Sequence, residues 1–290
     1  MYCHRSFILI LSRTGLAAII MLTLFADISL SDQQVIEKPS RIVSTHLCTD
    51  QLLLLLSDHD RIASLSFFSH NPSMSAMSET ARNFPVNHGF AEEIVALDPD
   101  LILTSTFGHS SILLLEKLGY QVRTIPVADS LDDIAANIRL VAEAIGDPVL
   151  GDTMASEFAN RIDAVRRQKV SDRPLLAIYN QNGFTFGQDA LITRLVELAG
   201  FRNLGAELGL GTAQHLPLEY LLTHQPDVLM LGDRNRYAAM ANELPNHPSI
   251  RRKYADVPRI NTKSHLWICG TPFVAEALDY FTAERVKLAQ

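Results

Sequence analysis

The chain has 290 residues, 47% of them hydrophobic and 20% charged, with a formal net charge of -7. That balance describes a globular chain long enough for one large or two small domains. It excludes a nucleic-acid partner, since no Lys/Arg-rich run reverses the acidic sign.

The first 31 residues differ in kind. His4, Arg5 and Arg13 precede an apolar run, Gly15–Phe25, which is followed by the small-x-small sequence Ser29-Leu30-Ser31. This is the layout of a secretory signal peptide over residues 1–31, cleaved near Ser31/Asp32. An apolar run of about 11 residues is short for a membrane span. An uncleaved anchor is the alternative if Phe7–Leu11 joins the run. Cys3 precedes the run and is no lipid-anchored residue at a cleavage site. The expected mature chain is exported, soluble and carries a charge of -8. It keeps Cys48 and Cys269, which are too far apart in sequence for a disulfide framework. Buried free thiols are expected there, with a single bridge as the other possibility.

Arg41–Thr45 reads as a buried strand, followed by a helix over Asp50–Leu56 with Thr49 as its cap. Arg61–Ser66 is a second strand, and Ser69–Asn83 is polar and irregular. A short helix over Ala91–Leu97 leads through Pro99-Asp100 into the strand Leu101–Ser105. Ser111–Leu118 is a helix ended by Gly119, and Gln121–Ile125 the next strand. Ser130 caps a helix with apolar positions Ile134, Ile138, Val141 and Ile145, stopped by Gly146. Strands alternating with helices predict a parallel sheet covered on both faces.

A longer helix follows over residues 147–170. Asp147 is placed to cap it, Pro148 suits its first position, and Leu150, Met154, Phe158, Ile162 and Val165 form its apolar stripe. After it the strand–helix alternation restarts. Pro174–Tyr179 is a strand, Ala190–Ala199 a helix and Pro217–Thr223 a short helix. Strands are expected at Val228–Leu231 and Pro258–Asn261, and a closing helix at Pro272–Leu288. The pattern divides the chain into a lobe at 40–146, a bridging helix at 147–170 and a second lobe at 171–290.

The two halves share a unit. Ala91–Leu103 (AEEIVALDPDLIL) superimposes on Leu218–Met230 (LEYLLTHQPDVLM) with a constant offset. Glu92 matches Glu219, Pro99 matches Pro226 and Asp100 matches Asp227. Four residues before each Glu stands a histidine, His88 or His215.

Nucleotide-binding GxxxxGK[ST] and strand-linked GxGxxG patterns are absent, as are G-x-S-x-G and H-E-x-x-H. An exported enzyme is therefore the weakest of the readings. His46 follows the first strand, His70 the second and His109 the third, while His88 and His215 open the repeated helices. In an open parallel sheet the carboxyl ends of the strands form the ligand crevice. These histidines are candidates for contact with a metal centre or with the anionic groups of a chelate. Their spacing fits no compact structural zinc site. Phe67, Phe68, Phe107, Phe184 and Trp267 map to the same edge, and large apolar walls with a few polar groups suit a bulky organic ligand. Arg234 and Arg236 follow the strand ending at Leu231 and are placed to pair with ligand carboxylates or phosphates.

Taken together, RIVSTHLCTDQLLLLL (Arg41–Leu56), DRIASLS (Asp60–Ser66), AEEIVALDPDLIL, EKLGYQV (Glu116–Val122), SLDDIAANIRLVAEAIG (Ser130–Gly146), FTFGQDALITRLVELAG (Phe184–Gly200) and HLWICGTP (His265–Pro272) resemble one family. It is the helical-backbone, or class III, substrate-binding proteins of bacterial ABC importers. Its members are periplasmic binders of ferric siderophores and vitamin B12. The resemblance covers nearly all of residues 40–288 in order. It implies an α/β chain of two Rossmann-like lobes, each with a parallel sheet, bridged by one long rigid helix. It further implies a periplasmic protein, expected to be a monomer, that takes a metal chelate between the lobes; position at the crevice edge makes His46, His88, Phe107, His109, Phe184, His215 and Trp267 the expected ligand-binding residues. Glu92 and Glu219 match the glutamates that dock on arginines of the permease, which works with a cytoplasmic ATPase. No cofactor of the protein itself is implied; iron or cobalt would arrive within the ligand. Cobalamin binders place tryptophans around the cleft, whereas here His88 and His215 lie close to two of those places. That departure leaves room for a siderophore or haem. A bare zinc or manganese ion, as in other helix-bridged binders, is the runner-up.

Overall fold

A computed structural model of the chain describes residues 38–106, 111–168, 170–232 and 244–288. The expected signal segment and Phe107, His109, Arg234 and Arg236 lie outside the described residues.

The first sheet contains β1 (Ile42–Ser44), β2 (Ile62–Ser66), β3 (Val86–Asn87), β4 (Leu101–Ser105) and β5 (Val122–Ile125), in the order β3-β2-β1-β4-β5. All its pairings are parallel. In the second half come β6 (Leu175–Tyr179), β7 (Phe184–Phe186), β8 (Arg202–Asn203), β9 (Ala213–His215), β10 (Val228–Leu231) and β11 (Arg259–Ile260). Four of these form a parallel sheet ordered β11-β10-β6-β8, while β7 and β9 pair antiparallel as a separate ribbon. Chain order reverses at β1 in the first sheet and at β6 in the second. The crevices beyond the carboxyl ends of these two strands are therefore the natural ligand positions.

Successive strand residues send their side chains to opposite faces, and both faces are covered. Ile42 belongs to the large central core and Val43 to a cluster with Ala91, Ile94 and Ile102 on the far side. Leu176 and Ile178 join the central core, whereas Ala177 and Tyr179 pack with Leu204, Leu216 and Tyr254. A sheet buried on both sides needs continuous apolar strands, which is why RIVST, LILTS and PLLAIY are legible.

The helix Leu131–Ala144 has the predicted cap. Ser130 Oγ accepts from Asp133 N at 3.1 Å, and the Asp133 carboxylate accepts from Ser130 N at 2.8 Å. Ile134, Ile138, Val141 and Ile145 are fully buried. The next helix, Pro148–Arg166, lies between the two sheets in sequence and packs along Leu131–Ala144. It is shorter at both ends than residues 147–170; Phe158 and Ile162 of the predicted stripe are buried, but they share that face with Gly151 and Ala155 rather than with Leu150, Met154 and Val165. Leu150 is exposed, with Met154 and Val165 at the margin of the core. Close approach to the neighbouring helix explains the shift: a Cβ at Gly151 would sit 2.3 Å from Ala142 Cβ. Small residues, not large apolar ones, fit that contact.

The side-chain cap expected of Asp147 is not formed. Its carboxylate is held instead by Lys38 Nζ and by Arg61 NH1, the latter at 2.9 Å. Lys38 and Arg61 together hold its pKa below the usual carboxylate value against partial desolvation. Two charge-assisted bonds to cations outweigh the one bond to an amide that a cap would make.

The cysteines also depart from expectation. Cys48 and Cys269 form a disulfide, with their Cα atoms 4.8 Å apart across 221 residues of sequence. Other differences are small. Ser69–Asn83 contains the end of the 3-10 turn Phe67–His70 and the helical turn Ser78–Ala81, which His70 Nε2 joins through Ala81 O at 2.9 Å. The two- and three-residue strands β3, β7, β8 and β9 and the helices Leu204–Glu207 and Pro248–Lys253 add to the elements the sequence predicts. Elements this short carry no readable period and are defined by their neighbours.

Candidate functional site

Beyond the carboxyl end of β1 the chain enters the helix Leu47–Leu56. His46, not Thr49, caps it: His46 Nδ1 accepts from Cys48 N at 3.3 Å. Burial lowers the pKa of this imidazole. Thr49 turns its hydroxyl inward to His46 O and Ser44 Oγ, both at 2.8 Å. In the same first turn Asp50 is fully buried and accepts from Ser66 N at 3.0 Å and from Ser66 Oγ, tying the helix to the end of β2. Burial pushes the Asp50 carboxyl up to about 7, despite hydrogen bonds from Ser44 and Ser66 that act the other way.

The ends of β2 and β3 carry a run of rings. Phe67 lies 3.9 Å from Phe68 and stacks on His88 at 5.1 Å, and His88 lies 6.4 Å from Phe90, centroid to centroid. All four are exposed, Phe67 and Phe68 by 40% and Phe90 by 54%. His88 is fixed from behind, since Glu93 accepts from His88 N at 2.7 Å and lies 3.0 Å from its Nδ1. The backbone bond from His88 is the main cause of the lowered Glu93 pKa.

In the second lobe the corresponding edge is the turn after β6. Phe184 is 46% exposed, with its ring edge-on to His215 at 6.5 Å, the two residues facing each other across the β7–β9 ribbon. Gly183, at φ +74°, permits this approach: a Cβ there would lie 2.9 Å from Tyr179 Oη and 3.3 Å from His215 Nε2. His88 and His215, matched in sequence, therefore stand on different backbones, a loop after a parallel strand and an antiparallel ribbon.

Trp267 is not at this surface. It is 8% exposed, packs edge-on against Phe186 at 5.6 Å, and donates its Nε1–H to Thr262 O at 2.8 Å. Little of the ring is left for a ligand. The disulfide joins the chain after β1, at Cys48, to the chain beyond β11, at Cys269.

Two asparagines that sequence reasoning missed shape both edges. Asn87 closes β3: its Oδ1 accepts from Gly89 N at 3.1 Å, and its Nδ2 donates to Ser44 O, Ser64 Oγ and Leu65 O at 2.9–3.0 Å. Asn203 closes β8 in the same way, accepting from Gly205 N at 3.2 Å and donating to Phe186 O and Thr193 Oγ1 at 2.7 Å. The signal was present as Asn-x-Gly in each half, Asn87-His88-Gly89 and Asn203-Leu204-Gly205.

Glu92 and Glu219 both lie exposed in the first turn of a short helix, Ala91–Val95 and Leu218–Thr223. Among the described residues, neither carboxylate has a hydrogen bond or ion pair.

Residues 42–253 match the periplasmic binding protein family. The chain belongs to that family. A cobalamin-binding protein of Halobacterium salinarum is 25% identical to it over 222 residues, covering 74% of this chain and 60% of that protein. A vitamin B12-binding protein of Vibrio cholerae is 25% identical over 179 residues, covering 60% of this chain and 63% of that protein. The chain thus aligns with under two thirds of the length of these curated relatives. Among solved structures, the apo periplasmic heme-binding protein of Roseiflexus sp. RS-1 has a TM-score of 0.73 at 20% identity, covering 87% of this chain and 99% of that one. The periplasmic vitamin B12 binding protein of Vibrio cholerae has a TM-score of 0.67 at 20% identity with the same coverage. These likenesses establish the two-lobe periplasmic binding protein fold, each lobe with its parallel sheet.

Proposed function

We propose that the protein is the substrate-binding component of an ABC importer, capturing a metal chelate of the iron-siderophore or cobalamin type between its lobes. The observation that carries this is the exposed run Phe68–Phe67–His88–Phe90 at the carboxyl edge of the first sheet. Rings left in water at the end of a sheet are costly unless a ligand covers them, and stacked faces suit a bulky, partly apolar organic framework. The relatives that bind cobalamin support the same reading. Iron or cobalt would come with the cargo, so the protein needs no resident cofactor, and it acts as a binder rather than an enzyme.

Haem is a second reading, favoured by the exposed imidazoles of His88 and His215 beside aromatic rings and by heme-binding structural neighbours. A bare zinc or manganese ion has less support, since no three His, Cys, Asp or Glu side chains gather among the described residues. Delivery uses Glu92 and Glu219, one on each lobe, whose carboxylates, unpaired among the described residues, offer bidentate partners to permease arginines. The protein works as a periplasmic monomer, exported by residues 1–31 and coupled through the permease to a cytoplasmic ATPase.

Native mass spectrometry of the purified protein against cobalamin, haem and ferric siderophores tests the reading. A stoichiometric complex with one of the cobalamin or siderophore chelates is expected. Binding of haem alone moves the conclusion to the second reading, and binding of none removes it.

A further inference from the structure

We propose that the Cys48–Cys269 disulfide is a second tether between the lobes, fixing the segment 264–273 to the first lobe and limiting how far the cleft opens. The covalent bond crosses from the first turn after β1 to the chain beyond β11. It is not isolated. Ser264 Oγ donates to Ser73 O of the first lobe at 3.2 Å. Gly270, at φ +53°, lies so close to the first lobe that a Cβ there would stand 2.7 Å from Ala128 Cβ. The segment thus touches the first lobe at Ser73, Cys48 and Ala128.

It is also a coherent piece. Trp267 N and Ile268 N donate to Ser264 O at 3.1 and 2.9 Å, Gly270 N donates to Trp267 O at 3.1 Å, and the indole N–H is tied to Thr262 O. Left-handed backbone leads into it at Lys263, φ 47°, and recurs within it at Gly270. Rotation at Lys263 changes the path of the chain into the segment while the turns after it stay intact. Because Trp267 in the same segment packs on Phe186 of the second lobe, the segment touches both lobes, and opening must disturb one set of these contacts while the disulfide keeps the first-lobe set in place. The bridging helix alone permits a wider range, because it joins the lobes along one line only. Restricting the open states raises the fraction of molecules ready to bind.

The part of this proposal that concerns ligand affinity rests on the chelate-binding reading; the mechanical part does not. The test compares the full oxidised chain with the Cys48→Ser, Cys269→Ser double variant. Without ligand, the variant is expected to have a larger radius of gyration by X-ray scattering and faster amide exchange through 264–273, around Ser73 and at Ala128. With whichever chelate of the cobalamin, haem and siderophore panel the oxidised protein binds, the variant should bind about tenfold more weakly. If the variant does not fold, the folded oxidised protein is reduced with a phosphine, its thiols are capped, and the same readouts apply. Unchanged scattering and exchange overturn the proposal whatever the affinity does. If no chelate binds the oxidised protein, the functional reading fails, while scattering and exchange still decide the tether.

Discussion

Asp100 and Asp227 hold equivalent positions in the two sheets. Asp100 accepts from Arg41 N at 3.0 Å and returns its own N–H to Arg41 O at 3.1 Å; Asp227 accepts from Leu175 N at 2.7 Å and returns its N–H to Leu175 O at 2.8 Å. Each Pro-Asp thus locks the start of one central strand to the start of its neighbour. Asp100 has more partners, adding Ser40 N and Ser40 Oγ. Desolvation raises its pKa, but the bonds from Ser40 and Arg41 outweigh this and hold it below the usual value. Its stabilisation is therefore present above the unfolded pKa and lost as acid protonates the carboxylate. Asp100→Ala should cost about 1–3 kcal/mol at neutral pH by leaving amides unpaired, and Asp227→Ala less. Denaturant titration measures both, and equal costs would show that the extra bonds at Asp100 contribute nothing.

Gly151→Ala tests the helix crossing. Alanine favours a helix by about 1 kcal/mol over glycine, but overpacking costs about 1–3 kcal/mol. With only 2.3 Å available to Ala142 Cβ, overpacking should win and the variant lose stability. Adding Ala142→Gly should restore part of the loss. A more stable single variant would mean that the two helices separate freely.

Asp50 makes stability depend on pH. Its folded-state pKa, about 7, lies above the ordinary 3.8, so its contribution is fully present below 3.8 and is lost as pH rises through 7. Stability should fall across that window with a slope approaching about 1.4 kcal/mol per pH unit from this residue. Asp50→Asn, which can still accept from Ser66 N, should remove that slope in denaturation curves taken from pH 4 to pH 8. An identical slope in the variant would assign it to another group.

Phe67 and Trp267 should behave oppositely. Phe67→Ala should weaken chelate binding by about 1–3 kcal/mol with little loss of stability, because its ring is exposed. Trp267→Ala should instead lower stability by about 3–5 kcal/mol, as a buried ring leaves a cavity. Calorimetric titration beside thermal unfolding separates the two.

Glu92→Ala and Glu219→Ala should leave chelate affinity unchanged and impair uptake in cells, most in the double variant. Neither carboxylate supports an internal ion pair among the described residues, so stability should also be unaffected. Normal uptake by the double variant would reduce both to helix-end charges, worth about 0.3–1 kcal/mol each.

What the sequence determined by itself was the local and the repeated. Apolar strands, the Ser130 cap, Pro148 at its helix start and the Pro-Asp units are set by neighbours within a few residues, and their periods can be read along the chain. The placement of Glu92 and Glu219 in the first turns of matched short helices is equally local. Tertiary structure alone decided what distant segments meet. Whether Cys48 and Cys269 bond depends on how two lobes pack across 221 residues. Whether Asp147 caps its helix depends on Lys38 and Arg61 arriving beside it. Trp267 looked like a wall of the cleft because its loop follows a strand, yet Phe186 and Thr262 O make it core. A side chain's partners are chosen by three-dimensional competition among all groups within reach, and no one-dimensional pattern records that competition.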